Sequence, residues 1–271
     1  MSVAIPSSDF TELTRAFNSG RKRAVLCGGQ AVVLHRLAIM CKDGGWIVRE
    51  DSECTSHILR ALADRRSRYR FGAPLDARWL AGGWSSYLEY QDHGLRVRTD
   101  FFSRPPRLDR EALAKLWMQA AVSGAVPYAD AVALSQMKMT NREKDYVVIG
   151  ELARSMTDRT DRLLYSRSAR DLRRMAEEAP ELARRLSGRR PLLSLVGSDE
   201  ETLAAAIDAE KRSLIRANEA RVGRFLKAAE RWQAVWPSVE RKVAMLPLLE
   251  SHEIIVREAE GVLPFVVEGS E

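Results

Sequence analysis

The chain has 271 residues, 45% of them hydrophobic and 30% charged. That balance supports the buried core of one large or two modest domains and excludes an intrinsically disordered chain. No run of about 18 apolar residues is present, so neither a bilayer-spanning helix nor a membrane partner is expected. Lys and Arg number 43 against 37 Asp and Glu, a mildly basic balance that is compatible with a nucleotide or nucleic-acid partner without requiring one.

Met1–Phe10 lacks the basic-then-apolar layout of a secretory leader, and a cytoplasmic protein is expected. Ser8–Asn18 reads as an amphipathic helix capped by Ser7 or Ser8, with Phe10, Leu13 and Phe17 on one face and Gly20 at its end. Ala24–Cys27 is an apolar run suited to a buried strand, followed by a Gly28-Gly29 turn and a helix from Gln30 to Met40. Strand, glycine turn and helix form a phosphate-facing geometry, because backbone without Cβ atoms approaches a ligand closely and the first turn of a helix offers free N–H groups. His35, within that helix, reads as a packed or hydrogen-bonded residue.

A turn at Lys42–Gly45 leads to a second strand, Trp46–Glu50, and Asp51 or Ser52 starts a helix running to about Arg66. The basic run Arg65–Arg70 then enters a Gly-, Pro- and aromatic-rich stretch that ends in a strand at Ser85–Tyr90. His93-Gly94 reads as a hairpin turn. Beyond it, Leu95–Phe102 alternates, with Leu95, Val97, Thr99 and Phe101 on one face and Arg96, Arg98, Asp100 and Phe102 on the other. Asp109–Ala121 reads as a helix, Pro127-Tyr128 as a break and Ala129–Ala153 as a further helical region.

From about Ser155 the composition turns Arg-, Glu-, Ala- and Leu-rich at helical spacing, with breaks near Pro180, Gly188–Pro191, Gly197-Ser198 and Pro237. Asp199 to about Trp236 reads as one long helix or a helix pair, and the last stretch as either a hairpin or a helix with a tail. Two regions are therefore expected, 1–155 and 156–271, the second mainly helical. Cys27, Cys41 and Cys54 are too few and too irregularly spaced for a disulfide framework, and no Cys-x-x-Cys pair suggests zinc, so reduced thiols are expected.

The segments GGQAVVLHRLAIMCKDGGWIV, RVRTDFF and MKMTNREKDYVVIGELA together resemble the polymerase-β-like nucleotidyltransferase superfamily, and within it the bacterial proteins that include AbiEii-type toxins. The resemblance covers about Ala24–Ala153. It implies an α/β fold, a small mixed β-sheet flanked by helices, and transfer of a nucleotide from an NTP to an RNA, protein or small-molecule acceptor with Mg²⁺. In that scheme carboxylates on neighbouring strands hold the metal, while the glycine turn and a lysine steady the phosphates.

Carried over residue by residue, the resemblance makes Gly28 and Gly29 the phosphate turn, Asp43 the first acid of D-x-D and Asp100 the third carboxylate, with Asp43 and Asp100 as metal ligands. Lys138, Arg142 and Lys144 become nucleotide-binding residues, and Asp145 completes their element. The second acid is absent, because its position is Gly45. Asp51-Ser52-Glu53 offers an alternative register as a D-x-E pair, and the segment Ile39-Met40-Cys41 lacks the Arg and Thr common before D-x-D in the family. Beside the enzyme stand a degenerate binding or regulatory module of the toxin–antitoxin or phage-defence type, acting with a cognate partner protein, and a non-catalytic RNA-binding protein.

Overall fold

The structure is a computed structural model that describes residues 7–39, 41–267 and 269. In chain order its elements are α1 (Ser7–Phe17), β1 (Ala24–Cys27), α2 (Gly28–Leu34), β2 (Asp43–Val48), α3 (Ser52–Ala63), β3 (Arg68–Tyr69), α4 (Ala77–Ala81), β4 (Ser86–Asp92) and β5 (Leu95–Phe102). Then come α5 (Arg110–Gln119), β6 (Ala121–Ser123), β7 (Val126–Tyr128), α6 (Ala131–Met137), α7 (Glu143–Ser155), α8 (Arg159–Tyr165), α9 (Ala169–Glu178) and α10 (Pro180–Leu186). A 3-10 turn at Pro191–Leu195 precedes α11 (Glu200–Ala228), α12 (Glu230–Val243) and α13 (Leu248–Glu260). The side chains of Ser7 and Ser8, the expected caps of α1, and residue Met40 lie outside the described part.

The architecture is α/β. One mixed sheet of seven strands, in the order β3-β4-β5-β2-β1-β7-β6, is flanked by helices. Strand β2 runs antiparallel to β1 and parallel to β5, while β4 and β5 form a hairpin. Its turn is His93-Gly94, both at positive φ (46° and 77°), the two-residue geometry whose twist matches that of the flanking strands. The burial of Val97, Thr99 and Phe101, alternating with half-exposed or exposed Arg96, Arg98 and Asp100, follows the expected division of faces.

The expected turn at Lys42–Gly45 is corrected. Asp43, Gly44 and Gly45 are strand residues, aligned with Arg98, Thr99 and Asp100 of β5. Gly44 has a packing reason: a Cβ there would lie 2.4 Å from the Trp46 ring and 2.5 Å from that of Phe10. Both rings belong to the core on that side, where Trp46 stacks on Phe101 with centroids 5.4 Å apart and donates its indole N–H to the Thr14 hydroxyl at 2.8 Å.

A hairpin, β6 and β7, occupies the place where the helix end and the Pro127 break are expected, and β7 lies parallel beside β1. The helical region 129–153 is two helices, interrupted at Lys138–Arg142. Pro237 sits inside α12 rather than ending a helix, and the final stretch resolves to α13 with a short tail. Among the described residues no helix is long and apolar enough to cross a membrane.

Packing divides the chain into two compact units, Met1–Ala129 together with Arg221–Glu271, and Asp130–Ala220. This differs from the single boundary expected near residue 155. The reason is that the C-terminal helices return to the sheet: Trp232, Trp236, Ile255 and Leu263 share one core with Trp46, Trp79 and Phe101. Polar tethers reinforce this core. The indoles of Trp79, Trp84 and Trp232 donate to the carbonyls of Leu263, Pro264 and Gly72 at 3.2, 2.9 and 2.9 Å. The Tyr69 hydroxyl meets His252 Nδ1 at 2.8 Å.

The second unit is helical, with its own core of Leu163, Leu172, Leu193, Leu203 and Ile207. There the buried guanidinium of Arg190 donates to the carbonyls of Leu163 and Ser166 at 2.7 and 2.8 Å and pairs with Glu210 at 2.9 Å.

Candidate functional site

The sequence-predicted site falls into two groups, one in each unit. In the first unit, β1 runs straight into α2, so Gly28 and Gly29 form the first turn of that helix. Gly28 is at φ 63° with open space around it, a backbone conformation that favours glycine. Gly29 serves packing: a Cβ there would lie 2.1 Å from Cys41 Sγ. Gln30 holds the same segment by donating to the Cys41 carbonyl at 2.9 Å. His35 faces the Ala129 carbonyl, with Nε2 at 3.0 Å. No disulfide joins Cys27, Cys41 and Cys54, and burial pushes the Cys54 thiol up to about 11.

Asp43 and Gly45 are alternate residues of β2 and share a face. Across the ladders Gly45 aligns with Asp100 of β5 on one side and Cys27 of β1 on the other, and Asp100 aligns in turn with Tyr87 of β4. The missing second acid thus maps to the place directly beside Asp100. Partial burial raises the Asp100 carboxyl from its usual value to about 6, opposed by the charge of Arg70, reinforced by that of Asp43 and opposed again by Arg98.

Arg70, the last residue of the basic run and the first after β3, is the partner that sequence reasoning missed. Its Nη1 lies 3.4 Å from Asp100 Oδ1, and its guanidinium sits 5.6 Å from the centroid of the Tyr87 ring. Nearby, the buried carboxylate of Glu89 collects Arg68 at 2.8 Å, Arg96 at 3.8 Å and Arg70 at 3.9 Å. The basic run signals these arginines, but nothing local tells which strand they meet. Arg96 and Arg98 share the face of β5 that carries Asp100. Arg96 turns to Glu89 instead, and Arg98 acts on Asp100 through its charge.

The alternative pair, Asp51 and Glu53, is committed elsewhere. Asp51 caps α3 by accepting from the Cys54 N–H at 2.8 Å and also pairs with Arg21 at 2.6 Å. Glu53 pairs with Arg23 at 2.6 Å and with Arg21, and the Arg23 hydrogen bond leads the causes that hold its carboxyl down near 2.

In the second unit, Lys138 and Asp145 form a buried ion pair at 3.0 Å. Thr140 donates to the other carboxylate oxygen at 2.6 Å, joined by Arg142 Nε at 2.9 Å. Burial pushes the Asp145 carboxyl up, but the Thr140 hydroxyl and the charges of Lys138 and Arg142 outweigh it and hold the group below the usual range. Lys144 is exposed.

The donor set can be tested against the Mg²⁺ that the resemblance implies. Among the described residues no group of three or more His, Cys, Asp or Glu could hold a metal ion. Asp43 and Asp100 stand without the acid at position 45, and a guanidinium lies against Asp100. These residues do not fit a two-metal centre, which needs an acid shared between the ions.

A raised carboxyl costs stability once it is ionised. The folded state holds the Asp100 proton more tightly than the unfolded chain, so its contribution is fully present below about pH 4 and is lost as pH rises through about 6. Asp100→Asn is therefore expected to stabilise the protein by about 1–2 kcal/mol at pH 7, after discounting for the side chain's partial exposure. The gain should vanish near pH 4. Melting temperatures of variant and native chain across that range check this, and an equal difference at both ends would refute it.

No family model matches this chain, and no curated protein matches it. Two solved structures from Helicobacter pylori do. One is a candidate nucleotidyltransferase, 12% identical with a TM-score of 0.40, the match covering 80% of this chain and 98% of that one. The other is JHP933, also 12% identical with a TM-score of 0.40, covering 82% and 97%. A likeness of that size is too weak to assign the fold on its own.

Proposed function

We propose that this chain is a nucleotidyltransferase-like protein that has given up metal-dependent transfer and acts as a nucleotide- or phosphate-binding regulatory module, of the kind found in toxin–antitoxin or phage-defence systems. One observation carries this reading: the glycine aligned with Asp100, together with the Arg70 guanidinium against that carboxylate. Where a metal centre would gather negative charge, this face offers a built-in cation. A guanidinium binds phosphate oxygens directly through its planar fork, so an anionic ligand can be held without an ion between.

A second reading keeps the transferase, with Asp43 and Asp100 holding Mg²⁺ and an NTP as nucleotide donor. It is favoured by the electrostatic coupling of the two carboxylates, because a divalent ion relieves such crowding. A cognate protein or an RNA remains the proposed partner in either case.

Calorimetric titration of the native chain with an NTP, with and without Mg²⁺, separates these readings. The regulatory module is expected to bind equally well in EDTA and to lose about tenfold in affinity in Arg70→Gln, the cost of one charge-assisted contact. Binding that requires Mg²⁺ and disappears in Asp100→Ala would restore the transferase. No NTP binding, with RNA retention that falls steeply as salt is added, would point to an RNA-binding protein.

A further inference from the structure

The first unit contains a cavity of about 190 Å³ that neither reading uses. Its wall is aromatic, built from Phe71, Trp84, Tyr87, Phe225 and Trp232, with Arg221 as its charged member. Glycines make the room. A Cβ at Gly72 would lie 2.5 Å from the Tyr87 ring, and Gly83, at φ 82°, would press against Phe225 at 3.3 Å.

The two indole N–H groups of the wall are already engaged, and Arg221 Nε is not. Trp84 and Trp232 spend their N–H groups on backbone carbonyls. Arg221 Nε is buried and has no hydrogen-bond partner, and among the described residues Arg221 makes no ion pair. A buried N–H left unmade costs about 1–3 kcal/mol, and two further arginines, Arg107 and Arg224, add their positive charge around it. A site with flat apolar walls, one orphaned charge-bearing donor and surplus positive potential is complementary to a flat anion.

We infer that this cavity is a binding site for a planar aromatic carboxylate of one or two rings, the ring held among Trp84, Tyr87 and Phe225 and the carboxylate accepting from Arg221. The size agrees: an engineered apolar cavity of about 150 Å³ holds benzene, so a slightly larger one takes a substituted ring or a small fused system. Aromatic stacking contributes beyond area burial, and the charge-assisted bond to Arg221 supplies the selectivity. The cavity shares Tyr87 with the Arg70–Asp100 group, but its occupant is held by Arg221 and its test does not depend on phosphate binding at Arg70.

The test uses the full chain and two probes of matched shape, indole-3-carboxylate and neutral indole. Calorimetry is expected to show the carboxylate binding at least about tenfold more tightly than indole, the worth of one charge-assisted hydrogen bond, with tryptophan fluorescence changing in step because Trp84 and Trp232 line the site. Arg221→Met should abolish the preference while leaving indole binding intact. Equal affinity for the two probes in the native chain overturns the assignment of the anion, and no binding of either overturns the site. Both of these readings come from the native protein and need no variant to fold. Binding of the carboxylate that survives Arg221→Met unchanged also overturns the assignment.

Discussion

The Gly45→Asp variant is expected to gain a response to divalent cations that the native chain lacks. Gly45 aligns with Asp100 in the parallel ladder and shares a face with Asp43, so a carboxylate there completes a set of three acids on two adjacent strands. The position has room. A Cβ would meet Cys27 Sγ at 3.5 Å and Phe102 Cε1 at 4.0 Å, which is ordinary contact. Without metal the new charge crowds Asp43 and Asp100 and should destabilise the protein by about 1–2 kcal/mol at neutral pH. A saturating ion reverses this. At a Mg²⁺ concentration about 100-fold above Kd the linkage is about 2.7 kcal/mol, or about 5–10 °C in melting temperature. The native chain should shift by less than about 1 °C under the same conditions, a difference well under 1 kcal/mol. If the variant melts identically with and without Mg²⁺, the strand pair is not a metal-centre geometry and the proposed ancestry fails. If the native chain responds as strongly, two acids suffice and the transferase reading takes precedence.

Asp145→Ala should have the larger effect on stability, about 3–5 kcal/mol, because it strands the buried ammonium of Lys138 without its counter-charge. Replacing both partners at once, as Lys138→Met with Asp145→Leu, should recover most of the loss, since a well-packed apolar pair is often neutral relative to a buried ion pair. The two units can be watched separately. The six tryptophans, Trp46, Trp79, Trp84, Trp117, Trp232 and Trp236, all lie outside Asp130–Ala220. Helical circular dichroism should therefore show an early urea transition in Asp145→Ala that tryptophan fluorescence does not report. A loss below about 1 kcal/mol would show that Lys138 is not structurally bound to Asp145, and would return it to the role of a phosphate ligand.

What could be read from the residues divides along physical lines. Leu95–Phe102 was legible to the residue because its alternation is strict and its turn, His93-Gly94, is unambiguous. The start of α3 at Asp51 or Ser52 was legible from a local signature, and the hydrogen bond from the Cys54 N–H makes Asp51 the cap. Asp43–Gly45 was misread as a turn because a glycine pair in a loop and a single glycine, Gly44, cleared for the Trp46 ring look alike until the ring is in place. The hairpin β6–β7 is too short for any periodicity to show. At the site, the resemblance implied acids on neighbouring strands while the residues themselves read as a turn at Asp43, and the register places Asp43 and Asp100 on the paired strands β2 and β5. Arg70 and Tyr87 reach Asp100 only through strand pairing, and Arg221 enters the aromatic cavity from a helix more than a hundred residues later in the chain. Such long-range meetings leave no mark in a single sequence.

The first unit is discontinuous, interrupted by residues 130–220, and this bears on how the protein is made. Trp232, Trp236, Ile255 and Leu263, which close the core around Trp79, are synthesised after the whole of the second unit. At about 5–20 residues per second, roughly 6–26 s pass between the completion of β5 at Phe102 and the synthesis of Trp232 in α12. The helical second unit is complete in sequence before then, so on the ribosome the middle of the chain can mature first. Until then the core side of the sheet is covered only in part, by Phe10, Leu13 and Phe17 of α1 and by Ile58 and Leu62 of α3, and the late helices complete that cover.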